Sequence, residues 1–200
     1  MNLYDIENDA DFQENDSFQE YPSTARLGMP SFLVFDWIRS VALAVFVVIF
    51  VLTFFFRIVN VDGRSMNNTL AHGDKLFVTS FLYTPEKNDI VVISHGQHLD
   101  EPIVKRVIAT EGDTLKIDFK KNKVYVNGEL QKEPYVCSEL VKGDAVIPTV
   151  IPQGKIFVMG DNRKDSLDSR YNKVGLIDTG DVIGKVQYIF YPFDHAKYLY

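Results

Sequence analysis

The run KVYV at residues 123–126, followed by Asn127-Gly128, lies inside TLKIDFKKNKVYVNGELQ (residues 114–131) and decides the class of the fold. Its side chains are β-branched or aromatic, and Asn and Gly both accept the positive φ of a type I′ turn, the tightest link between two antiparallel strands. Residues 113–132 therefore read as a β-ribbon. Working outward, runs of the same kind recur at residues 75–78, 89–94, 103–109, 155–159 and 182–190, bounded by Gly-Asp, Asn-Gly or charged pairs. No amphipathic helix pattern competes with them, and aromatic content of 13% suits a strand-rich body. Residues 59–200 are predicted to form one mainly β domain.

Upstream, SVALAVFVVIFVLTFFF runs from Ser40 to Phe56 without a charge, between Arg39 and Arg57. At 1.5 Å per residue the 17 residues cover about 25 Å of a hydrocarbon layer about 30 Å thick. Trp37, Ile38, Ile58 and Val59 extend the run, and the flanking arginines can snorkel, so residues 36–58 are predicted to span a membrane once. A core helix of this length would carry a polar stripe, and this run has only Thr53. A cleaved signal peptide fits less well, since the run starts about 40 residues in and no A-x-A-like site follows. Basic residues are nearly balanced across the span, so charge alone does not orient it.

The formal charge is −6, and residues 1–30 already hold seven acids against Arg26, which leaves the rest of the chain neutral. Residues 1–35 read as an acidic, disordered tail, and the neutral body lacks the basic field that a nucleic-acid binder needs. The single cysteine, Cys137, excludes an internal disulfide and any cysteine-built zinc or iron–sulfur site, and it reads as a small buried side chain. Phe81, Leu82 and Tyr83 are expected to form an exposed apolar tip at a bilayer surface.

Three segments carry more polar chemistry than a plain β domain needs. VDGRSM (61–66) follows the span, and its glycine permits a sharp turn that would expose the Ser65 hydroxyl and leave N–H groups free to face an oxyanion. IVKRVIA (103–109) sets Lys105 and Arg106 on opposite faces of an apolar strand, so one cation must face something other than water. A desolvated lysine loses basicity and, beside a serine, is a general base. VMGDNRKDSLDSR (158–170) is a polar loop whose short side chains can bond its own backbone and position other groups. It fails the EF-hand pattern, since Ser166 stands where that loop needs glycine and Asn172 where it needs glutamate.

Together these segments carry a resemblance. An apolar anchor, then GRSMNNTL (63–70), Gly73-Asp74, KRVIATEGD (105–113) and GDNRKDSLDSR (160–170), in this order, resembles the bacterial type I signal peptidases, in particular the compact Gram-positive kind. The resemblance implies a mainly β fold: a transmembrane helix followed by a β-rich catalytic domain of antiparallel sheets with a small β-ribbon. It implies a membrane-bound serine endopeptidase that cuts signal peptides from secretory preproteins after small residues at positions −1 and −3. The tail would be cytoplasmic and the catalytic domain extracytoplasmic, in a single-pass protein of the cell membrane. Its partners would be signal peptides, the lipid bilayer and the protein-export translocon. It would work as a monomer, without nucleic acid, metal or other cofactor.

Carried over by position, Ser65 resembles the nucleophile and Lys105 the base. Ser166 matches a serine that hydrogen-bonds the lysine amine, and Asp161, Arg163, Asp168 and Arg170 match a scaffold around it. Gly63 occupies a position where some members place a serine hydroxyl in the oxyanion hole, so that donor must come from main chain or water. Asn68 replaces a usual proline. Val61, Met66, Leu70, Ile103 and Val104 resemble pocket-forming positions, and core packing is the alternative for each. The histidines (His72, His95, His98, His195) lie outside the three segments and read as loop residues. A self-cleaving Ser/Lys repressor would need a DNA-binding head that residues 1–30 do not provide. A catalytically silent, membrane-anchored module that captures peptides by strand addition stays open.

Overall fold

The computed structural model of the chain describes residues 31–94 and 101–199; the acidic segment and two of the histidines, His95 and His98, lie outside the described residues. The chain divides into two units, Met1–Leu43 and Ala44–Tyr200. Helix α1, Ser31–Phe55, runs through the division. It contains no glycine or proline, and its side chains from Val34 to Phe54 are all exposed. The segment Val34–Phe55 is long and apolar enough to cross a membrane.

The helix ends three residues before the predicted limit of the span. Phe56–Asn60 is strand β1, so Ile58 and Val59, counted above as extensions of the span, are strand residues. The apolar run does not stop there, but the backbone partners change. Phe56, Arg57, Ile58, Val59 and Asn60 each pair antiparallel with a residue of β2, Lys75–Thr79. No loop separates helix from strand.

The remaining strands are β3 Ile90–Ile93, β4 Ile103–Ala109, β5 Leu115–Asp118, β6 Lys123–Val126, β7 Glu129–Leu130, β8 Lys155–Met159, β9 Ile177–Asp178, β10 Val182–Tyr191 and β11 Lys197–Tyr198. One antiparallel sheet has the order β1-β2-β10-β3-β4-β8-β9, with β11 beside β10. The second has the order β5-β6-β7, and Asn127 and Gly128, at φ 54° and 80°, make the two-residue turn between its last two strands as predicted.

Alternation along the central strands sends side chains into separate cores on the two faces of the large sheet. Ile90 and Val92 of β3 join Val61, Met66, Leu70, Leu76 and Val78 in one cluster, whereas Val91 and Ile93 join Val107, Ile156 and Val158 in another. A third cluster, around Phe157, Met159 and Ile108, holds the ribbon through Leu115, Val124 and Val126. Register aligns one cross-strand row of five residues: Phe56, Thr79, Lys185, Val91 and Lys105. The residue that follows the apolar helix thus shares a row with the lysine of β4.

Candidate active site

Ser65 lies in a turn fixed at both ends. Before it, the Val61 N–H donates to the Asp74 carbonyl (2.8 Å) and the Gly73 N–H to the Val61 carbonyl (2.9 Å). After it, the Leu70 N–H donates to the Met66 carbonyl (2.9 Å), while Met66 and Leu70 are buried in the core. Gly63 enters the turn at φ 90°, a backbone region that an L side chain resists. The Ser65 side chain is left half-buried. Among the described residues its N–H has no protein acceptor, so one main-chain donor is free beside the hydroxyl.

Strand β4 brings Lys105 to this turn, with Nζ 2.6 Å from Ser65 Oγ. The lysine is 4% exposed, and burial lowers its pKa from 10.5 to about 8. Asp168 and Asp161 pull the value back up, and Arg170 adds to the lowering. The sequence required one of the two adjacent cations to leave water; both do. Arg106, also 4% exposed, donates from Nε (2.8 Å) and an Nη (2.7 Å) to Asp161, whose carboxylate also accepts the Thr69 hydroxyl (2.5 Å). Asp161 thereby joins the strand that carries Lys105 to the turn that carries Ser65.

The loop after β8 packs under both. Gly160 has no room for a side chain, because a β-carbon there would collide with the Ser65 carbonyl and the Ser166 hydroxyl. The Asn162 N–H donates to the Ser65 carbonyl (3.0 Å). Asp168 and Arg170 are fully buried and doubly bonded, Nε to Oδ1 at 2.8 Å and Nη to Oδ2 at 2.7 Å. Arg163, 2% exposed, pairs with Glu133 at 2.6 Å. Ser166 departs from the expectation. Its hydroxyl donates to Asp168 (2.7 Å), and no hydrogen bond joins it to Lys105 among the described residues. The carboxylate is the stronger acceptor within reach, and it is the same Asp168 whose charge acts on the lysine.

Ser65 and Lys105 open into a cleft of about 220 Å³ walled by residues 59–63 and Met66 on one side and residues 101–104 on the other. Val61, Met66, Ile103 and Val104 line it, and they also belong to or pack on the cores. Leu70 does not line it; it is a core residue, 1% exposed. Residues Ile103, Val104 and Lys105 pair with β3, whereas the pairing of β4 with β8 begins only at Arg106. Among the described residues, the edge of β4 away from β3 therefore has no strand partner where it borders the cleft. The other wall follows β1, the edge strand of the sheet.

Several neighbours escaped the sequence reading. His72 Nδ1 accepts the Gly63 N–H (3.2 Å) and lies 3.2 Å from Asp62 Oδ1, so the Gly63 N–H is engaged rather than free. His195 meets the buried Asp74 at 2.9 Å, and Tyr135 lies under the Arg106 guanidinium at 3.9 Å. None of these pairs has a sequence signal, because each joins segments far apart in the chain or turns on one side-chain rotamer. Cys137 is exposed, against the expectation of a buried thiol. No group of three or more His, Cys, Asp or Glu that could hold a metal ion occurs among the described residues.

The model of the signal peptidase, peptidase S26 family matches residues 34–191. The chain belongs to this family. Relatives include the signal peptidase I of Bacillus licheniformis, 37% identical over 175 residues that cover 82% of this chain and 92% of that one. The signal peptidase IB of Staphylococcus aureus is 38% identical over 183 residues, covering 82% and 92%. A crystal structure of a signal peptidase I from Enterococcus faecalis aligns with a TM-score of 0.45 at 25% identity, over 52% of this chain and 97% of that one. This S26 member is accordingly a serine peptidase, and its apolar N-terminal helix is consistent with a membrane anchor.

Proposed function

We propose that the chain removes signal peptides from secretory preproteins at the membrane surface, with Ser65 as nucleophile and neutral Lys105 as general base. The observation that carries this reading is the 2.6 Å approach of a buried lysine, its pKa lowered to about 8, to the hydroxyl of a serine that faces an open cleft. The Ser65 hydroxyl gives its proton to the Lys105 amine as Oγ bonds to the scissile carbonyl carbon. The Ser65 N–H holds the resulting oxyanion. Lys105 then passes the proton to the departing amine as the C–N bond breaks, and the same lysine activates the water that releases the acyl group.

The open edge of β4 beside the cleft and the edge of β1 favour a substrate bound as an added strand. Val61, Met66, Ile103 and Val104 would contact its side chains. A cleft this small accepts small side chains near the cut and rejects large ones. Asp161, Arg163, Asp168 and Arg170 support the pair, and Ser166 acts on Lys105 through Asp168. Helix α1 crosses the bilayer, with the N-terminus in the cytoplasm and the catalytic domain outside.

The test is cleavage of a preprotein in detergent by wild type, Ser65→Ala and Lys105→Ala, with the new N-terminus read by mass spectrometry. Cutting after a small residue by wild type alone supports the reading. A folded Lys105→Ala enzyme that still cuts would show that the serine uses another base. Binding without cutting by all three would leave a peptide-capturing module.

A further inference from the structure

Two tyrosines outside the reacting pair turn inward. Tyr83 packs on a core cluster, in place of the exposure expected from sequence, and its hydroxyl donates to Asp89 (2.5 Å), so its burial has a structural account. Phe81 and Leu82 beside it are exposed. Tyr135 joins no core cluster, and its ring lies instead under the Arg106 guanidinium at 3.9 Å. It sits on a segment, residues 131–140, tied to the ribbon at both ends. The Gln131 N–H donates to the Val124 carbonyl (2.9 Å), the Leu140 N–H donates to Asn122 (2.5 Å), and Leu140 is buried in the cluster that holds the ribbon.

Between those anchors the segment meets each part of the site in turn. Glu133 accepts two bonds from the buried Arg163 (2.6 and 3.2 Å), whose Nε donates to the Gly160 carbonyl (3.1 Å). The Cys137 thiol meets the carbonyl of Asn67, two residues after Ser65 (3.9 Å), and the Ser138 hydroxyl accepts the Lys164 N–H (3.2 Å). The Tyr135 contact leads furthest inward. Arg106 spends its Nε and one Nη on Asp161 and its other Nη on the Asn88 carbonyl (2.9 Å), and the ring closes one face of the guanidinium. Asp161 passes the contact on to the Thr69 hydroxyl, in the turn that carries Ser65. Tyr135, Arg106, Asp161 and Thr69 thus form an unbroken line from the ribbon to that turn, and Arg106 is the neighbour of Lys105 in β4.

We propose that Tyr135 is a positioning residue: at the middle of a strap anchored on the ribbon, it fixes Arg106 against Asp161 and through that pair sets Lys105 against Ser65. This rests on the reading of Ser65 and Lys105 as nucleophile and base. The ribbon is then part of the catalytic unit rather than an appendage to it. The ring also bears on the charge around the base. Asp168, Asp161 and Arg170 are the charges that act on Lys105, and Asp161 raises its pKa. While the ring holds Arg106 in place, the guanidinium offsets that carboxylate. A guanidinium released toward water leaves Asp161 to act on the lysine alone, so the pKa rises further.

The experiment measures kcat and KM against pH for preprotein cleavage in detergent, with the full chain as wild type, Tyr135→Leu and Tyr135→Phe. Tyr135→Leu should lower kcat about tenfold with KM little changed, and should move the acid limb of the profile to higher pH. Tyr135→Phe restores the ring face and loses only a hydroxyl bonded to Glu133 at 3.4 Å, so it should bring both kcat and midpoint back. A ring that serves stability alone would lower the melting temperature of Tyr135→Leu and leave kcat and midpoint as in wild type, which overturns the proposal. If leucine prevents folding, Tyr135→Met removes the ring in its place. As a second readout, Thr69→Val cuts the same line at its far end, so the double variant with Tyr135→Leu should lose little more in kcat than the worse single variant; losses that multiply overturn the line. Cleavage that survives in Ser65→Ala or Lys105→Ala overturns instead the reading on which the strap rests.

Discussion

Lys105 Nζ and Ser65 Oγ lie 2.6 Å apart although 40 residues separate them in the chain. The direction of the bond between them depends on protonation. An ammonium donates to Oγ and blocks attack, whereas an amine accepts the serine proton. With the lysine pKa near 8, only about a tenth of the molecules hold the amine at pH 7. kcat/KM should therefore rise about tenfold from pH 7 to a plateau above about pH 9 and fall one decade per pH unit below 7. A profile flat to acid pH would remove Lys105 from the role of base.

Asp168 tunes that midpoint. Its carboxylate holds the lysine pKa up and Arg170 pushes it down. Asp168→Asn should accordingly move the acid limb to lower pH, measured as kcat/KM against pH at a temperature well below the melting point of the variant. The same substitution leaves Arg170 without its charged partner in a fully buried site, so denaturant unfolding should show a loss of about 3–5 kcal/mol.

A buried lysine weakens the fold that carries it. At pH below about 8 it is charged in both the native and unfolded states, and the native state bears the desolvation penalty. Between about 8 and 10.5 the unfolded chain binds more protons, so stability rises with pH and the penalty disappears. Lys105→Met should raise the melting temperature at pH 7, by a gain of about 1–3 kcal/mol that shrinks toward pH 10.5, while abolishing cleavage. Calorimetry at the two pH values checks the sign.

Ser166→Ala separates a direct from an indirect role. Since its hydroxyl bonds Asp168 and not Lys105, the variant should keep activity within about tenfold of wild type, with a shifted pH midpoint as the main effect. A loss as large as that of Lys105→Ala would mean that the serine touches the amine during catalysis.

Two glycines near Ser65 should respond differently to alanine. At Gly160 the new β-carbon meets the Ser65 carbonyl and Ser166, so both stability and kcat should fall, the former by about 1–3 kcal/mol. At Gly63 nothing lies within 4 Å, and only the φ of 90° opposes the change, at about 1 kcal/mol. Activity and thermal melting of the two variants, measured together, test whether steric fit or backbone freedom governs the turn.

The strands were legible where pattern and punctuation agreed. KVYV before Asn127-Gly128 is a ribbon in sequence and in structure, because a type I′ turn depends on the two residues that make it. The limit between helix and strand was not legible. Phe54, Phe55 and Phe56 are identical in side chain, and only pairing with Thr79, fixed by the tertiary fold, turns the last of them into a strand residue. The two-residue strands β7, β9 and β11 are too short to carry a period. In the site, the motifs named Ser65 and Lys105, but the partner of Ser166 is a choice among nearby acceptors that no motif encodes. The bond from His72 to Gly63 depends on a rotamer in a loop.

The row that runs from Phe56 through Thr79, Lys185 and Val91 to Lys105 has a consequence for how substrate is found. Four strand spacings place the lysine about 19 Å sideways from the exit of the helix, measured along the sheet. Without a linker between α1 and β1, that offset is built into the hydrogen-bonded sheet and cannot be stretched. On the proposed reading of α1 as a membrane span, the same offset limits how far the lysine can stand from the point where the chain leaves the bilayer. On the same reading, a precursor held in that bilayer by its own apolar segment reaches the cleft by lateral diffusion. A scissile bond carried beyond that reach from the bilayer should then pass uncut, however well its side chains would suit the cleft.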